Sequence, residues 1–147
     1  MRTILRNIMI LAVTASPAFT GCMPEGRQIN YDIQAGNELY LPADGISVDL
    51  SRGSDVEFQW APSIAHDNGY VSYELLFDRE NGDFSSPVAA LASQLNGSMP
   101  NVSLSPKSLN SAARAAGIGV NETGNLKWTV RASKGLYGSV YSESRII

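Results

Sequence analysis

The chain has 147 residues, is 44% hydrophobic and 17% charged, and carries a formal net charge of −3. That length and balance fit one globular core, and the acidic sign argues against nucleic acid and against a polybasic membrane patch. The single cysteine excludes an internal disulfide and a multi-cysteine zinc site.

The first element is a leader. Arg2 and Arg6 give a positive start, Ile8 to Ala15 is a short apolar run, and Phe19-Thr20-Gly21 stands directly before Cys22. The run is shorter than the roughly 20 apolar residues of a membrane-spanning helix, so it reads as a signal segment. An apolar residue, a small residue and glycine before a cysteine is the arrangement of a bacterial lipobox. The thiol takes a diacylglyceryl group, cleavage after Gly21 needs small residues beside the cut, and the new amine is then acylated. One chain holds a protein to a membrane only marginally, whereas two or three do so stably, at about 0.8 kcal/mol per buried methylene. An ordinary secretory signal with a chance cysteine is the plain alternative. The expectation is that residues 1–21 are removed and Cys22 is lipidated, which leaves no free thiol. Removal takes two of the 11 basic side chains and none of the 14 acidic ones, and moves the net charge from −3 to −5.

Residues 22–38 read as a lipidated tether, polar and turn-rich from Met23-Pro24-Glu25-Gly26 through Asn30, Asp32, Gly36 and Asn37. Residues 39–147 read as one domain. Ile46, Val48 and Leu50 alternate with polar residues, as do Val56, Phe58 and Trp60. Tyr73, Leu75 and Phe77 do the same, followed by a weaker run from Val88 to Leu91, by Val102 and Leu104, and by Leu126, Trp128 and Val130. Val140 to Ile147 reads as a closing strand, hairpinned to Leu126–Ala132 across the short Lys134–Gly138 connection. Period-two alternation marks strands with one buried face, and two antiparallel sheets facing each other bury all of those faces. Asp67-Asn68-Gly69, Asn81-Gly82-Asp83, Asn96-Gly97 and Gly124-Asn125 tolerate positive φ between the runs, while Pro62 and Pro87 bound strands. One segment breaks the alternation. Ser105 suits an N-cap and Pro106 the first helical turn; Leu109, Ala112, Ala113 and Ala116 follow helical spacing, and Gly117 suits the residue after the cap. The predicted fold is all-β, an immunoglobulin/fibronectin-III-like antiparallel sandwich with one short helix at about 106–116 lying across one end.

The order of these elements resembles the N-terminal immunoglobulin-like domain of the SusE/SusF family, outer-membrane lipoproteins of starch-utilisation-type systems in Gram-negative bacteria. The stretches that carry the resemblance are Val56-Glu-Phe-Gln-Trp60, Val71-Ser-Tyr-Glu-Leu-Leu-Phe-Asp78, Asp83-Phe-Ser-Ser-Pro-Val88, Leu104-Ser-Pro-Lys-Ser-Leu109 with the helix beyond it, and Leu126-Lys-Trp-Thr-Val-Arg-Ala132. Family members bind polysaccharide through domains that follow this one, and residues 39–147 correspond to the first alone. The resemblance therefore implies a spacer or scaffold with no binding residues to carry over. It implies an outer-membrane location, with an outer-membrane transporter and glycan-binding proteins as partners. Only Glu25 stands near Cys22 in place of an acidic run, and the sequence does not choose between the cell surface and the periplasmic face.

The residues that could carry chemistry point away from catalysis. His66, the one histidine, sits in a turn, and no serine lies in a nucleophile elbow. Asp78, Glu80 and Asp83 crowd one hairpin tip instead of facing each other across a cleft, as paired glycosidase carboxylates do, and their spacing misses the register of a calcium loop. Trp60 and Trp128 fall on the apolar phase of their strands and are expected in the core. Tyr40, Tyr70, Phe84, Tyr137 and Tyr141 lie nearer loops or strand ends and are the better surface candidates; of these Tyr137 and Tyr70 are the candidate glycan-binding pair. Asn96, Asn101 and Asn121 open incidental glycosylation sequons. The expected function is a non-enzymatic, lipid-anchored accessory module of a polysaccharide-uptake system, without metal or cofactor. The competing expectation is an envelope protein-interaction or adhesion lipoprotein that uses a free sheet edge and has no glycan role.

Overall fold

The computed structural model describes residues 31–147, so the leader and Cys22 lie outside the described residues. The strands are β1 (Ile33–Gln34), β2 (Leu39–Leu41), β3 (Val56–Trp60), β4 (Ile64–Ala65), β5 (Ser72–Arg79), β6 (Ala89–Ala92), β7 (Asn101–Leu104), β8 (Leu126–Lys134), β9 (Tyr137–Val140) and β10 (Arg145–Ile146), with a helix at Pro106–Ala116 between β7 and β8. All pairings are antiparallel. One sheet runs β10-β8-β5-β6 with β9 also on β8, a second runs β2-β3-β7, and β1 pairs with β4.

The spine is β5 against β8, paired without a break from Ser72↔Ser133 to Arg79↔Leu126. The alternation seen in the sequence decides the inward face: Tyr73, Leu75 and Phe77 from β5 and Leu126, Trp128, Val130 and Ala132 from β8 are buried. Phe58 and Trp60 from β3 meet them from the second sheet, so the two indoles sit on facing sheets at 1% and 0% exposure. Phe58 sets its ring edge-on to Phe77 (centroids 5.7 Å apart) and to Trp128 (5.0 Å), each such pair contributing about 0.5–1.5 kcal/mol beyond its area.

The polar phase of β5 is not simply solvated. Leu76 and Thr129 face each other across β5 and β8 on the opposite side of the sheet, and both are fully buried.

The helix ends where its caps say. The Ser105 hydroxyl accepts from the Ser108 N–H at 3.3 Å, Pro106 opens the first turn, and Gly117 closes it at φ 99°. Leu109 and Ala112 are its buried residues, and it packs on β5, β7 and the turn at 50–52.

Two expectations change. The alternating run Ile46–Leu50 forms no strand. Val48 and Leu50 do pack against the core, but the chain turns into a short 3₁₀ segment at Leu50–Arg52, opened by the Asp49 carboxylate on the Ser51 N–H (2.9 Å). A single backbone bond, Gly45 N–H to Ile146 C=O, reaches the larger sheet. Alternation chose the inward side chains, but no neighbouring backbone completes a ladder.

The closing strand is also broken in two. The hairpin begins earlier than expected, at Tyr137, and pairs up to Arg131↔Val140; it resumes at Trp128↔Arg145. Residues 142–144 bulge out between the two pieces, while the Tyr141 N–H still bonds to the Val130 carbonyl. The Thr129 hydroxyl donates to the Glu143 carbonyl at 2.7 Å and holds the bulge down. The Glu143 carboxylate accepts from the Leu39 N–H (3.0 Å) and from Arg145 Nε (2.9 Å), and the Arg145 guanidinium donates to the carbonyls of Leu39, Tyr40 and Pro42. This pair stitches the end of the larger sheet to β2 of the smaller one.

Truncating Trp128 to alanine removes the ring that Phe58 meets from the facing sheet. Trp128→Ala is expected to cost about 3–5 kcal/mol in a denaturant titration, and a loss below about 1 kcal/mol, the ordinary size for a tolerated change, would mean that the core does not depend on this ring.

Candidate functional site

The end of the sandwich where β8 turns into β9 gathers the exposed rings of Tyr31, Tyr70 and Tyr137. Lys134 pairs with Tyr137, so only Gly135 and Leu136 make the turn. Gly135 takes φ 61°, which a two-residue hairpin with glycine first requires. Leu136 at the tip is 100% exposed and Tyr137 59% exposed. The Tyr137 ring lies on Tyr31, with centroids 4.5 Å apart and planes tilted by 39°.

The neighbouring turn is Asp67-Asn68-Gly69. Asn68 adopts φ 54°, and the Asp67 carboxylate accepts from the Gly69 N–H at 2.8 Å and from the Lys134 ammonium. The ammonium first, and then the Gly69 N–H, hold the Asp67 carboxyl below the usual carboxylate range. Tyr70 follows at 62% exposure. Tyr70 and Tyr137 thus share one end of the domain, but Tyr137 takes its ring contact from Tyr31. His66 is exposed in the same turn and bonds through its backbone N–H to the Asp32 carbonyl.

The end is held from beneath by buried hydroxyls. Tyr141, grouped by sequence with the surface aromatics, is buried, because its position next to the bulge turns it into the core. Its hydroxyl donates to the Ala61 carbonyl and lies 2.8 Å from the Ser63 hydroxyl. Ser63 also donates its N–H to the Tyr73 hydroxyl (2.9 Å) and accepts from the Gly36 N–H (3.2 Å). Burial pushes the Tyr73 and Tyr141 phenols above their usual range. A Cβ on Gly36 would stand 2.3 Å from the Ala61 carbonyl oxygen and 2.9 Å from the Tyr141 hydroxyl. Residues 33–36, expected within the tether, are therefore seated on the domain, and Ile33 and Ala35 pack on its core.

The other sequence candidates lie elsewhere. Tyr40 is exposed on β2, and Phe84 receives the Lys127 ammonium over its ring at 5.3 Å. Of the carboxylates at the β5–β6 tip, Asp78 and Asp83 are engaged by their own loop and Glu80 by the loop that precedes β8. Asp78 accepts from the N–H groups of Arg79 (2.8 Å) and Phe84 (3.0 Å), Asp83 from the N–H (2.9 Å) and hydroxyl (2.6 Å) of Ser85, and Glu80 from the Asn125 amide (3.0 Å). The Ser85 bonds hold the Asp83 carboxyl low. The hollow beside them, lined by residues 78–82 with Ala116 and Asn125, is open to solvent. Among the described residues no group of three or more His, Cys, Asp or Glu side chains is arranged to hold a metal, and no helix is long and apolar enough to cross a membrane.

Sequence reasoning missed the Tyr31–Tyr137 contact, because Tyr31 fell in the expected tether, where no alternation gave it a direction. Against known families, the model described as SusE outer membrane protein matches residues 25–131, a span that runs from ahead of β1 into β8. Comparison with curated proteins and with solved structures returned no match.

The Asp67–Lys134 pair sets a pH dependence. A carboxyl held below its unfolded value contributes stability above the ordinary carboxylate range, and loses it as the pH falls through the folded value. Calorimetric Tm values taken from neutral to strongly acidic pH should therefore fall more steeply for the wild type than for Asp67→Asn, which has no proton to take up there. Parallel curves would mean that the pair adds nothing.

Proposed function

Because the chain belongs to the SusE outer membrane protein family, we propose that it is a non-enzymatic, lipid-anchored accessory module of an outer-membrane polysaccharide-uptake apparatus. The family match carries this reading, and the lipobox at Gly21-Cys22 supplies the anchor. The geometry supports a scaffold: the core is joined across both sheets by aromatic rings, and Asp78 and Asp83 at the β5–β6 tip are consumed by their own loop. Kinship with immunoglobulin-like domains belongs to this same reading. The partners it implies are an outer-membrane transporter and glycan-binding proteins. Polysaccharide contact, through Tyr137 and Tyr70, is weak on this reading, because two largely exposed rings leave most of a sugar in water.

Expression of the wild type and Cys22→Ser in a Gram-negative host tests the anchor. The wild type should fractionate with membranes and show acyl mass at its mature N-terminus, while the variant should be soluble or unprocessed. A wild type without acyl mass would refute the anchor.

One observation favours the protein-interaction reading. β6, the outermost strand of the larger sheet, reads Ala89-Ala90-Leu91-Ala92 and carries neither charge nor proline. The Ser93 N–H bonds to Tyr73, and Leu91 pairs with Leu75. Ladder geometry then turns the backbone groups of Ala90 and Ala92 away from β5. Most natural edges are blunted by lysine, proline or a bulge, and a plain one suits strand addition. Ala90→Lys should abolish capture of envelope proteins while leaving the unfolding midpoint in place; undiminished capture would remove this reading.

A further inference from the structure

We propose that the Leu136 tip, with Tyr31 and Tyr137, docks onto the lipid surface to which the chain is tethered. The inference rests on the anchor at Cys22 proposed above and goes beyond it by assigning the face of the domain that meets the bilayer.

Tether length is the first argument. Residues 23–30 alone separate Cys22 from Tyr31, a reach of about 15–18 Å if flexible. The nine-residue strand β8 runs about 27 Å at the usual rise. A tether whose average span, if flexible, is shorter than the sandwich favours the end bearing Tyr31 as the one near the membrane, and Tyr31 touches Tyr137 directly.

The chemistry of that end is the second argument. Leu136 stands fully exposed on the turn, flanked by the half-exposed rings of Tyr31 and Tyr137, with Tyr70 and Ile64 exposed on the neighbouring segments. Tyrosine suits the boundary between headgroups and acyl chains, since its ring is apolar and its hydroxyl is wet. A bare leucine held on a rigid two-residue turn gains by entering the acyl region, whereas in water it only exposes apolar surface.

Charge is the third. At this end the Lys134 ammonium is matched by Asp67, and Asp32 beside Tyr31 is a second carboxylate. Asp78, Glu80, Asp83 and Glu122 collect around the opposite end, where β5 stops and β8 begins. The domain is therefore polarised along its strands, with its aromatic end toward the tether and its acidic end away from any anionic headgroups.

With Cys22 acylated, an introduced cysteine is the sole free thiol. Leu136→Cys and Val120→Cys, the latter exposed in the loop near the acidic end, are labelled with an environment-sensitive fluorophore in the full lipidated chain. Both are reconstituted into phosphatidylethanolamine/phosphatidylglycerol vesicles with and without doxyl-quencher lipid. The expected result is a blue shift and loss of most of the emission for the position 136 label, with the position 120 label unchanged. Equal quenching at the two positions, or none at either, overturns the proposal. A position 136 label that ignores vesicles but shifts on adding a soluble α-glucan oligosaccharide also overturns it and returns the tip to sugar binding. Acyl mass at Cys22 is measured on the same samples, so a failed anchor is distinguished from a tip that does not dock.

Discussion

Phe58 standing edge-on between Phe77 and Trp128 is the contact on which the sandwich depends. Phe77 and Trp128 are register partners across β5 and β8, so one ring from the second sheet reads out the pairing of the first. A one-residue slip in either strand would carry a large ring to the other face and leave Phe58 without its partners. The register, the sheet separation and the side of β3 that faces inward are thus enforced together. Beside this pair, Trp60 on Tyr73 extends the same contact toward the tyrosine end.

From that centre the polar groups are organised outward. Both indole N–H groups, on Trp60 and Trp128, are buried without an acceptor among the described residues, so their contribution is one of shape and area. Hydrogen bonding is concentrated at two seams. Ser63, Tyr73 and Tyr141 fasten residues 33–36 to the body of the domain, and Glu143 with Arg145 fastens the last strand to β2. Both seams join residues far apart in the chain, so they hold the edges that local pairing would leave loose. Arg145 is also the reason β2 does not resemble β6 as an edge: its guanidinium occupies carbonyls that another strand would otherwise use.

The functional reading follows from what this scaffold leaves over. The core, the helix and the two seams absorb most of the large side chains, and the β5–β6 tip turns Asp78 and Asp83 on itself. Outward-facing apolar chemistry concentrates instead at the tyrosine end and along β6. The first lies beside the tether, and the second lies on the flank of the larger sheet.

Much of this was legible in the residues alone. Val56–Trp60, Tyr73–Phe77 and Leu126–Val130 announced their strands and their inward faces, because a period of two is a local property that burial only has to obey. The helix was legible from Ser105, Pro106 and Gly117, since caps act within a few residues. The leader and Cys22 lie outside the described residues, and their reading as a processing signal belongs to the proposal. Tertiary structure decided the rest. It left Ile46–Leu50 without a ladder, because alternation cannot supply a partner backbone. It bulged residues 142–144, where the Thr129 hydroxyl takes the Glu143 carbonyl that a regular strand would have spent on β8. It buried Tyr141, and it brought Tyr31 onto Tyr137 across more than a hundred residues of chain, a contact that depends on which segments meet at one end of the sandwich and that no local pattern encodes.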